Sequence, residues 1–135
     1  MKLWIDDVRP APEGYVWCKS VEAAKNLIIV LNRGVEGYRY MLENPEHIAL
    51  AGCTPIKENI QKRIDEMTVE LIDIDHDAGN YAKYGGDYIK LLDWLEETGR
   101  NYPIHIHSQN PVGVQNMRRI IERNGWKEIK YDIFD

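Results

Sequence analysis

The chain has 135 residues, a length suited to one domain that buries a single core. It carries 17 Lys and Arg residues against 22 Asp and Glu residues, which gives a formal net charge of −5. Broad, sequence-blind binding to DNA or RNA needs a basic face, so this charge argues against it. A short nucleotide or a single RNA end could still bind, because one site can be locally positive on an acidic protein.

The cysteine content and the start of the chain bear on where the protein works. Cys18 and Cys53 show neither a CxxC spacing nor a disulfide framework, which favours reduced thiols in the cytosol. No apolar run approaches the roughly 20 residues that a membrane span needs. The opening MKLWIDD reaches two acids too early for a signal peptide. We therefore expect a soluble, cytoplasmic protein with no membrane partner, and we leave its oligomeric state open.

The first half of the chain predicts two strands and two helices. Residues 2–5 are a short apolar run that ends at two acids, which is typical of a buried strand feeding a loop. Residues 15–18 are rich in aromatic and β-branched types and predict a second strand. Ser20 is a candidate N-cap for a helix that we expect to end at Gly34. A second helix is predicted over 56–67.

The stretch from 34 to 55 has the least regular pattern, because glycines and prolines interrupt it repeatedly. Residues 47–50 could form a further strand between the two helices, although four residues do not establish one.

The second half alternates strands with helices. Strands are predicted over 70–74, 103–107 and 127–131. One helix is predicted around 88–95, and another begins at Asn110-Pro111 as N-cap and N1 and ends at Gly125. Such alternation indicates βαβ units and a mainly parallel sheet within one domain.

Acids and histidines collect at the ends of three predicted strands. In an open parallel sheet the ligand site lies beyond the carboxyl ends of the strands. A single acid there is usually a turn former, but turn formation does not call for this combination of types. These types ligate metals and move protons, so we predict a functional site from them. The residues are Asp6, Asp7, Asp75, His76, Asp77, His105, His107 and Ser108.

The spacing of the histidines ranks them. His105 and His107 are two apart and share one face of a strand. His105 lies one step deeper and could be a hydrogen-bonded core histidine, so His107 is the better candidate for direct chemistry. Asp73 alternates with Asp75 in the same way, and it could be either structural or a support for the site.

Small and amide residues surround the start of the last helix in the run SQNPVGVQN, 108–116. Free backbone N–H groups and the helix dipole favour an anion there, although ordinary capping would need only Asn110. Arg9 could neutralise a phosphate or pair with the neighbouring acids. Asp87 is a candidate N-cap for the helix that follows it, and it could also reach the site.

Five segments resemble the cyclic-phosphate processing receiver domains, a divergent branch of the receiver fold. They are LWIDDVRPAP (3–12), VWCKSVEAA (16–24), IDHD (74–77), GGDY (85–88) and IHIHSQNPVGVQNMRRIIERNG (104–125). The resemblance implies a receiver-like (flavodoxin-like) α/β fold, which we expect to be a three-layer sandwich with a mainly parallel sheet. It leaves 34–67 as a candidate helical insert, either a lid or a partner-binding segment.

The resemblance also implies roles for individual residues. Asp6 and Asp7 correspond to the acidic metal-binding pair of receivers, Asp75 to the phospho-acceptor strand end, and His107-Ser108 to the hydroxyl-bearing strand end. The activity implied is on cyclic phosphates, such as RNA 2′,3′-cyclic ends or cyclic nucleotides.

Together these arguments predict a metal-assisted phosphoesterase. We expect the metal to be Mg²⁺ or Mn²⁺ rather than Zn²⁺, unless two histidines ligate it. The predicted metal ligands are Asp6, Asp7, Asp75 and Asp77. Proton transfer is predicted for His107, assisted by His76 or His105. The predicted phosphate-binding residues are Arg9, Ser108, Asn110 and Asn116.

Two other functions stay open. The first is a signalling receiver that accepts phosphate on Asp75 or Asp77, which ranks lower because no Lys-Pro follows the last strand and the chain ends at Asp135 without a final helix. The second is a non-catalytic protein that binds a cyclic nucleotide.

Overall fold

A four-stranded parallel sheet forms the centre of the computed structural model, which describes residues 1–50, 52 and 56–131. The strands lie in the order β2-β1-β3-β4, and each pairs in parallel with its neighbour. Their bounds are Lys2–Ile5 (β1), Tyr15–Cys18 (β2), Leu71–Ile74 (β3) and Ile104–Ile106 (β4).

Among the described residues, five helices and one short 3₁₀ turn accompany these strands, and the last helix follows the last strand. The helices are Val21–Glu43 (α1), Pro45–Leu50 (α2), Lys57–Met67 (α3), Ile89–Glu97 (α4) and Pro111–Asn124 (α5), and the 3₁₀ turn is Gly79–Tyr81. The caps read from the sequence hold for α1 and α5: Ser20 accepts from the Ala23 N–H, and Asn110 accepts from the Gly113 N–H.

One face of the sheet carries the main core. Leu3, Ile72 and Ile104 lie side by side across three strands, and Ile5 and Ile74 form the next row. All five are fully buried, as the 2-residue alternation of a strand requires. The same core takes side chains from three helices: Val21, Ala24, Ile28 and Leu31 of α1, Leu91, Leu92 and Leu95 of α4, and Met117, Ile120 and Ile121 of α5.

The order of the strands explains why these helices share a face. The chain moves in the same direction across the sheet from β2 to β3 and from β3 to β4, and right-handed crossovers then place the connecting helices on one side. The connection from β1 to the edge strand β2 is a loop. The expected receiver-like α/β class with a parallel sheet is confirmed. In the described part of the chain, the helices α1, α4 and α5 pack on the apolar face of the sheet.

The opposite face of the sheet carries aromatic and polar side chains. Trp17, Trp4, Asp73 and His105 lie in one row across the four strands. Asp73 is buried, whereas the other three are partly exposed.

Helix α1 is longer than the sequence predicts. It passes through Gly34 and continues to Glu43, so the expected stop at Gly34 is wrong. The extension is held by packing, because Val35 joins Ile60 and Ile64 of α3 in a second, smaller core. Gly34 itself lies against the end of the Met67 side chain, which would have to move if residue 34 had a Cβ.

Two other segments also differ from expectation. Residues 47–50 belong to helix α2 and form no strand. The predicted strand over 127–131 is reduced to a single parallel bridge between Ile104 and Glu128. The described residues of the segment 34–67 are mainly helical, and its status as an insert stays a prediction.

None of the described helices is long and apolar enough to cross a membrane. Cys18 is a free thiol, and its burial raises its pKa to about 11, so it stays protonated at neutral pH. Cys53 lies outside the described residues.

Candidate functional site

A cavity of about 390 Å³ opens at the carboxyl ends of the strands. All four predicted metal-binding acids reach it, from the ends of β1 and β3. Its lining consists of Asp6, Asp7, Val8, Arg9, Asp75, Asp77, Gly79 and Gln109. The convergence follows from the parallel sheet, because strands of the same direction end at the same edge.

Asp6 is the most buried of these acids, with 1% of its surface exposed. Its Oδ1 accepts hydrogen bonds from the backbone N–H groups of Val8 and Arg9, both at 2.9 Å, which folds the loop after β1 into a tight turn. Its Oδ2 lies 3.1 Å from Arg9 Nε and 2.9 Å from His107 Nε2.

The pKa of Asp6 reflects these contacts. Burial by itself raises the pKa of this carboxyl, but the hydrogen bonds from Val8, Arg9 and His107 and the charge of Arg9 outweigh it, so the pKa lies below its usual value. Asp6 is therefore a carboxylate throughout the neutral range.

Arg9 links three strand ends. Its guanidinium contacts Asp6, lies 3.1 Å from Asp75 Oδ2 and donates to the His107 carbonyl oxygen at 3.3 Å. The structure thus shows Arg9 paired with the acids, and contact with a phosphate stays a prediction for this residue. Its side chain is 44% exposed at the cavity.

A buried chain of carboxylates and imidazoles runs behind the cavity. His107 Nε2 contacts Asp6 and its Nδ1 lies 2.6 Å from Asp73 Oδ1, which also lies 2.8 Å from His105 Nδ1. The His107 ring stacks on Trp4 with a centroid distance of 3.9 Å and an interplanar angle of 4°. Each ring nitrogen of His107 therefore lies within hydrogen-bond distance of a carboxylate oxygen, one from Asp6 and one from Asp73.

These contacts bear on two residues, Asp73 and His105, whose roles the sequence left open. Asp73 contacts His105 in β4 and His107 just after it, which is the arrangement expected of a residue that supports the site. His105 lies on the open face of the sheet, where its ring meets Tyr131 edge-on at 4.6 Å. His107 is 9% exposed and reaches the cavity through Asp6, so direct contact with a ligand would require its bond to Asp6 to open.

The acids after β3 have separate partners. Asp75 Oδ1 accepts from the His76 N–H at 2.8 Å, and His76 Nδ1 lies 2.8 Å from Asp77 Oδ1. The His76 ring packs on Gly113 of α5, where an added Cβ would lie 2.5 Å from the ring. Asp87 accepts from the Ala78 N–H and does not cap α4, so the N-cap prediction for it is wrong.

The predicted phosphate-binding residues at the start of α5 form mainly local hydrogen bonds that stabilise the turn and the helix. Asn110 caps the helix through Gly113, and Ser108 Oγ accepts from the Asn110 N–H at 3.1 Å. Asn116 accepts from Arg119 on the same helix and makes no hydrogen bond to the cavity lining. Sequence reasoning missed Gln109, which lines the cavity beside the predicted residues. Its place directly after the strand-end His107-Ser108 is the signal that could have found it.

Within the described part of the chain, two clusters offer ligand atoms that could hold a metal ion. Ligand atoms of Asp6, Asp75 and His107 lie within 4.8 Å of one another, and those of His76, Asp77 and Asp87 form the second group. The first cluster fits a divalent cation by its chemistry, because it combines two carboxylates with an imidazole and Asp7 lines the same cavity. A cation there would replace the guanidinium of Arg9 between Asp6 and Asp75.

Replacing Asn110 with alanine tests its capping role. We expect the free energy of unfolding to fall by about 1 kcal/mol, because the Gly113 N–H loses its acceptor. Urea denaturation measures this change. The matched control is Asn101→Ala in an exposed loop, which should change stability by less than about 0.5 kcal/mol. Equal effects of the two substitutions would contradict the capping role.

The lowered pKa of Asp6 predicts a loss of stability in acid. An acid whose folded pKa lies below its unfolded value of 3.8 stabilises the fold fully above that value and loses this contribution as pH falls through the folded pKa. The stability difference between wild type and Asp6→Asn, measured in EDTA by urea denaturation, should therefore be constant at neutral pH and shrink below 3.8. A difference that grows in acid would contradict this prediction.

A model of the family described as cyclic-phosphate processing receiver domain matches residues 1–123. No curated protein and no solved structure matches the chain significantly.

Proposed function

The chain belongs to the cyclic-phosphate processing receiver domain family, and we propose that it hydrolyses a cyclic phosphate with the help of a divalent metal ion. The substrate would be an RNA 2′,3′-cyclic end or a cyclic nucleotide. The observation that carries this proposal is the cavity at the strand ends, which gathers four carboxylates and one guanidinium.

The charge of the cavity supports the need for a metal. Asp6, Asp7, Asp75 and Asp77 face a single cation, Arg9, so the lining repels a phosphate anion. A divalent cation on Asp6, Asp7 and Asp75 would reverse this repulsion. Oxygen ligands favour Mg²⁺ or Mn²⁺, and an imidazole ligand would shift the preference towards Mn²⁺ or Zn²⁺.

The reaction adds water across one ester bond of the cyclic phosphate. The water oxygen bonds to phosphorus, one ring P–O bond breaks, and the released alkoxide oxygen takes a proton, so the product is a phosphate monoester. When bound, the cation would polarise a phosphoryl oxygen and lower the pKa of a bound water. Arg9 would neutralise the remaining charge on the phosphate.

We assign proton transfer to the histidines beside the cavity. His76 borders the lining acid Asp77, and its Nε2 makes no hydrogen bond among the described residues. His107 would act either by opening its bond to Asp6 or by holding that carboxylate in place, with Asp73 and His105 behind it. A histidine is suited to this exchange because its pKa is ordinarily close to neutrality.

The test is a panel of 2′,3′-cyclic mononucleotides and cyclic oligonucleotides incubated with the purified protein. We expect ring opening with Mn²⁺ or Mg²⁺ and none with EDTA, read as the gain of one water by mass spectrometry. No turnover on any member of the panel would rule out the hydrolase, and binding with an unchanged substrate would favour a non-catalytic binder.

A phospho-accepting receiver is the second candidate. Asp75 directly follows β3 and lines the same cavity as the pair Asp6-Asp7, which is where a receiver carries its acceptor. Incubation with acetyl phosphate would then give a stable mass gain that Asp75→Asn abolishes. The hydrolase proposal expects no such gain.

A further inference from the structure

A patch of lysines and aromatic rings lies beside the cavity, and we propose that it binds the nucleotide preceding a cyclic phosphate at an RNA 3′ end. The aromatic patch, as we call it, consists of Trp17, Lys19, Tyr81, Lys83 and Tyr84. This inference rests on the proposed function and narrows its substrate to an oligonucleotide end, in preference to a free cyclic mononucleotide.

The patch combines stacking surfaces with mobile positive charges. Lys19 Nζ lies 4.5 Å from the Trp17 ring centroid and 5.9 Å from that of Tyr81. Lys83 Nζ lies 5.2 Å from the Tyr84 ring centroid, and the two tyrosine rings are 6.3 Å apart. Tyr84 is 44% exposed, and both lysines are exposed.

Two contacts connect the patch to the cavity. Trp17 Nε1 donates to the backbone oxygen of Asp6 at 2.7 Å. Gly79 lines the cavity two residues before Tyr81, and it lies so close to the Asp7 carboxylate that an added Cβ would force this carboxylate to shift. A ligand with its terminal phosphate in the cavity would therefore extend directly onto the patch.

Backbone contacts hold the patch in place. The Glu22 N–H donates to the Tyr84 carbonyl at 3.1 Å, and the Tyr88 hydroxyl donates to the Lys19 carbonyl at 2.7 Å. The loop that carries the two tyrosines is thus tied to the end of β2 and to the start of α1. A prearranged surface loses less conformational entropy when it binds a ligand.

The chemistry of the patch matches a single-stranded nucleotide. Aromatic side chains stack with bases of any sequence, and lysines near the rings can pair with a backbone phosphate. The chain is acidic overall and its cavity holds four carboxylates, so the positions of Lys19 and Lys83 decide where a second phosphate can bind. A cyclic mononucleotide has only the phosphate that the cavity takes, and it leaves these lysines without an anionic partner.

The experiment compares a trinucleotide ending in a 2′,3′-cyclic phosphate with the corresponding cyclic mononucleotide. We expect Tyr81→Ala and Lys19→Ala each to lower the ratio of kcat/KM for the trinucleotide to kcat/KM for the mononucleotide by about tenfold. Lys19→Arg should restore most of the ratio, because it returns the charge. The matched controls are Tyr40→Ala on α1 and Lys62→Ala on α3, which remove an exposed ring and an exposed charge elsewhere and should leave the ratio unchanged.

A binding measurement separates failure of this inference from failure of the proposed function. Fluorescence anisotropy in EDTA and in Mn²⁺ reports the Kd of a labelled trinucleotide that carries a 3′-phosphate. Absence of turnover would overturn the hydrolase. If Tyr81→Ala and Lys19→Ala nevertheless raised the Kd about tenfold, the result would support nucleotide binding by the aromatic patch. A ratio and a Kd that neither substitution changes would overturn the patch, whether or not the protein hydrolyses cyclic phosphates.

Discussion

Replacing His107 with alanine is expected to lower the free energy of unfolding by about 3–5 kcal/mol. His107 lies between two buried carboxylates, Asp6 and Asp73, and its two ring nitrogens contact one of them each. Removing it leaves two buried carboxyl groups without the polar partner that they share, and it also removes the ring that stacks on Trp4. Urea denaturation of the wild type and the variant at neutral pH in EDTA measures the change.

Two further variants isolate the cause. His47→Ala removes an exposed histidine whose ring forms a hydrogen bond with Tyr40, and it should change stability by less than about 0.5 kcal/mol. His107→Phe keeps an aromatic ring beside Trp4 but offers no donor, so it should be as destabilising as the alanine variant. If His107→Phe were close to wild type in stability, stacking and not charge pairing would be the main contribution of this residue.

Replacing Asp75 with asparagine is expected to lower the turnover of a cyclic phosphate by about 10³-fold, a change of roughly 4 kcal/mol in the activation free energy. Asp75 is one of the carboxylates that the proposed function assigns to the metal, and asparagine removes its charge. The fold should tolerate the change, because the amide oxygen can still accept from the His76 N–H and Asp75 is partly exposed. Initial rates at saturating Mn²⁺ measure the effect.

The matched control is Asp65→Asn on α3, an exposed acid that accepts from Gln61. It makes the same chemical change away from the cavity and should leave turnover unchanged. Calorimetric titration with Mn²⁺ should show weaker binding to Asp75→Asn than to the control. A loss of turnover below about tenfold, or an unchanged metal affinity, would contradict a metal-binding role for Asp75.

Much of the architecture could be predicted from local patterns. The strand over 2–5 and the helix between Asn110 and Gly125 follow from apolar spacing and capping residues, which act over a few neighbouring positions. Where local signals conflicted with packing, prediction failed. Helix α1 passes Gly34 because Val35 buries its side chain against α3, a contact between residues far apart in the chain. The segment 127–131 forms only a bridge, although its composition suits a strand.

The sequence by itself determined which acids share the cavity, since residues that follow parallel strands lie at one edge of the sheet whatever the details of packing. Only the tertiary structure decided how those residues pair. It placed His107 between Asp6 and Asp73, turned Arg9 onto Asp6 and Asp75, and left Asn116 bonded within α5. The physical reason is that spacing along a strand sets the face and the edge a side chain occupies, whereas a hydrogen bond depends on distances of a few tenths of an ångström between elements that only the folded core brings together.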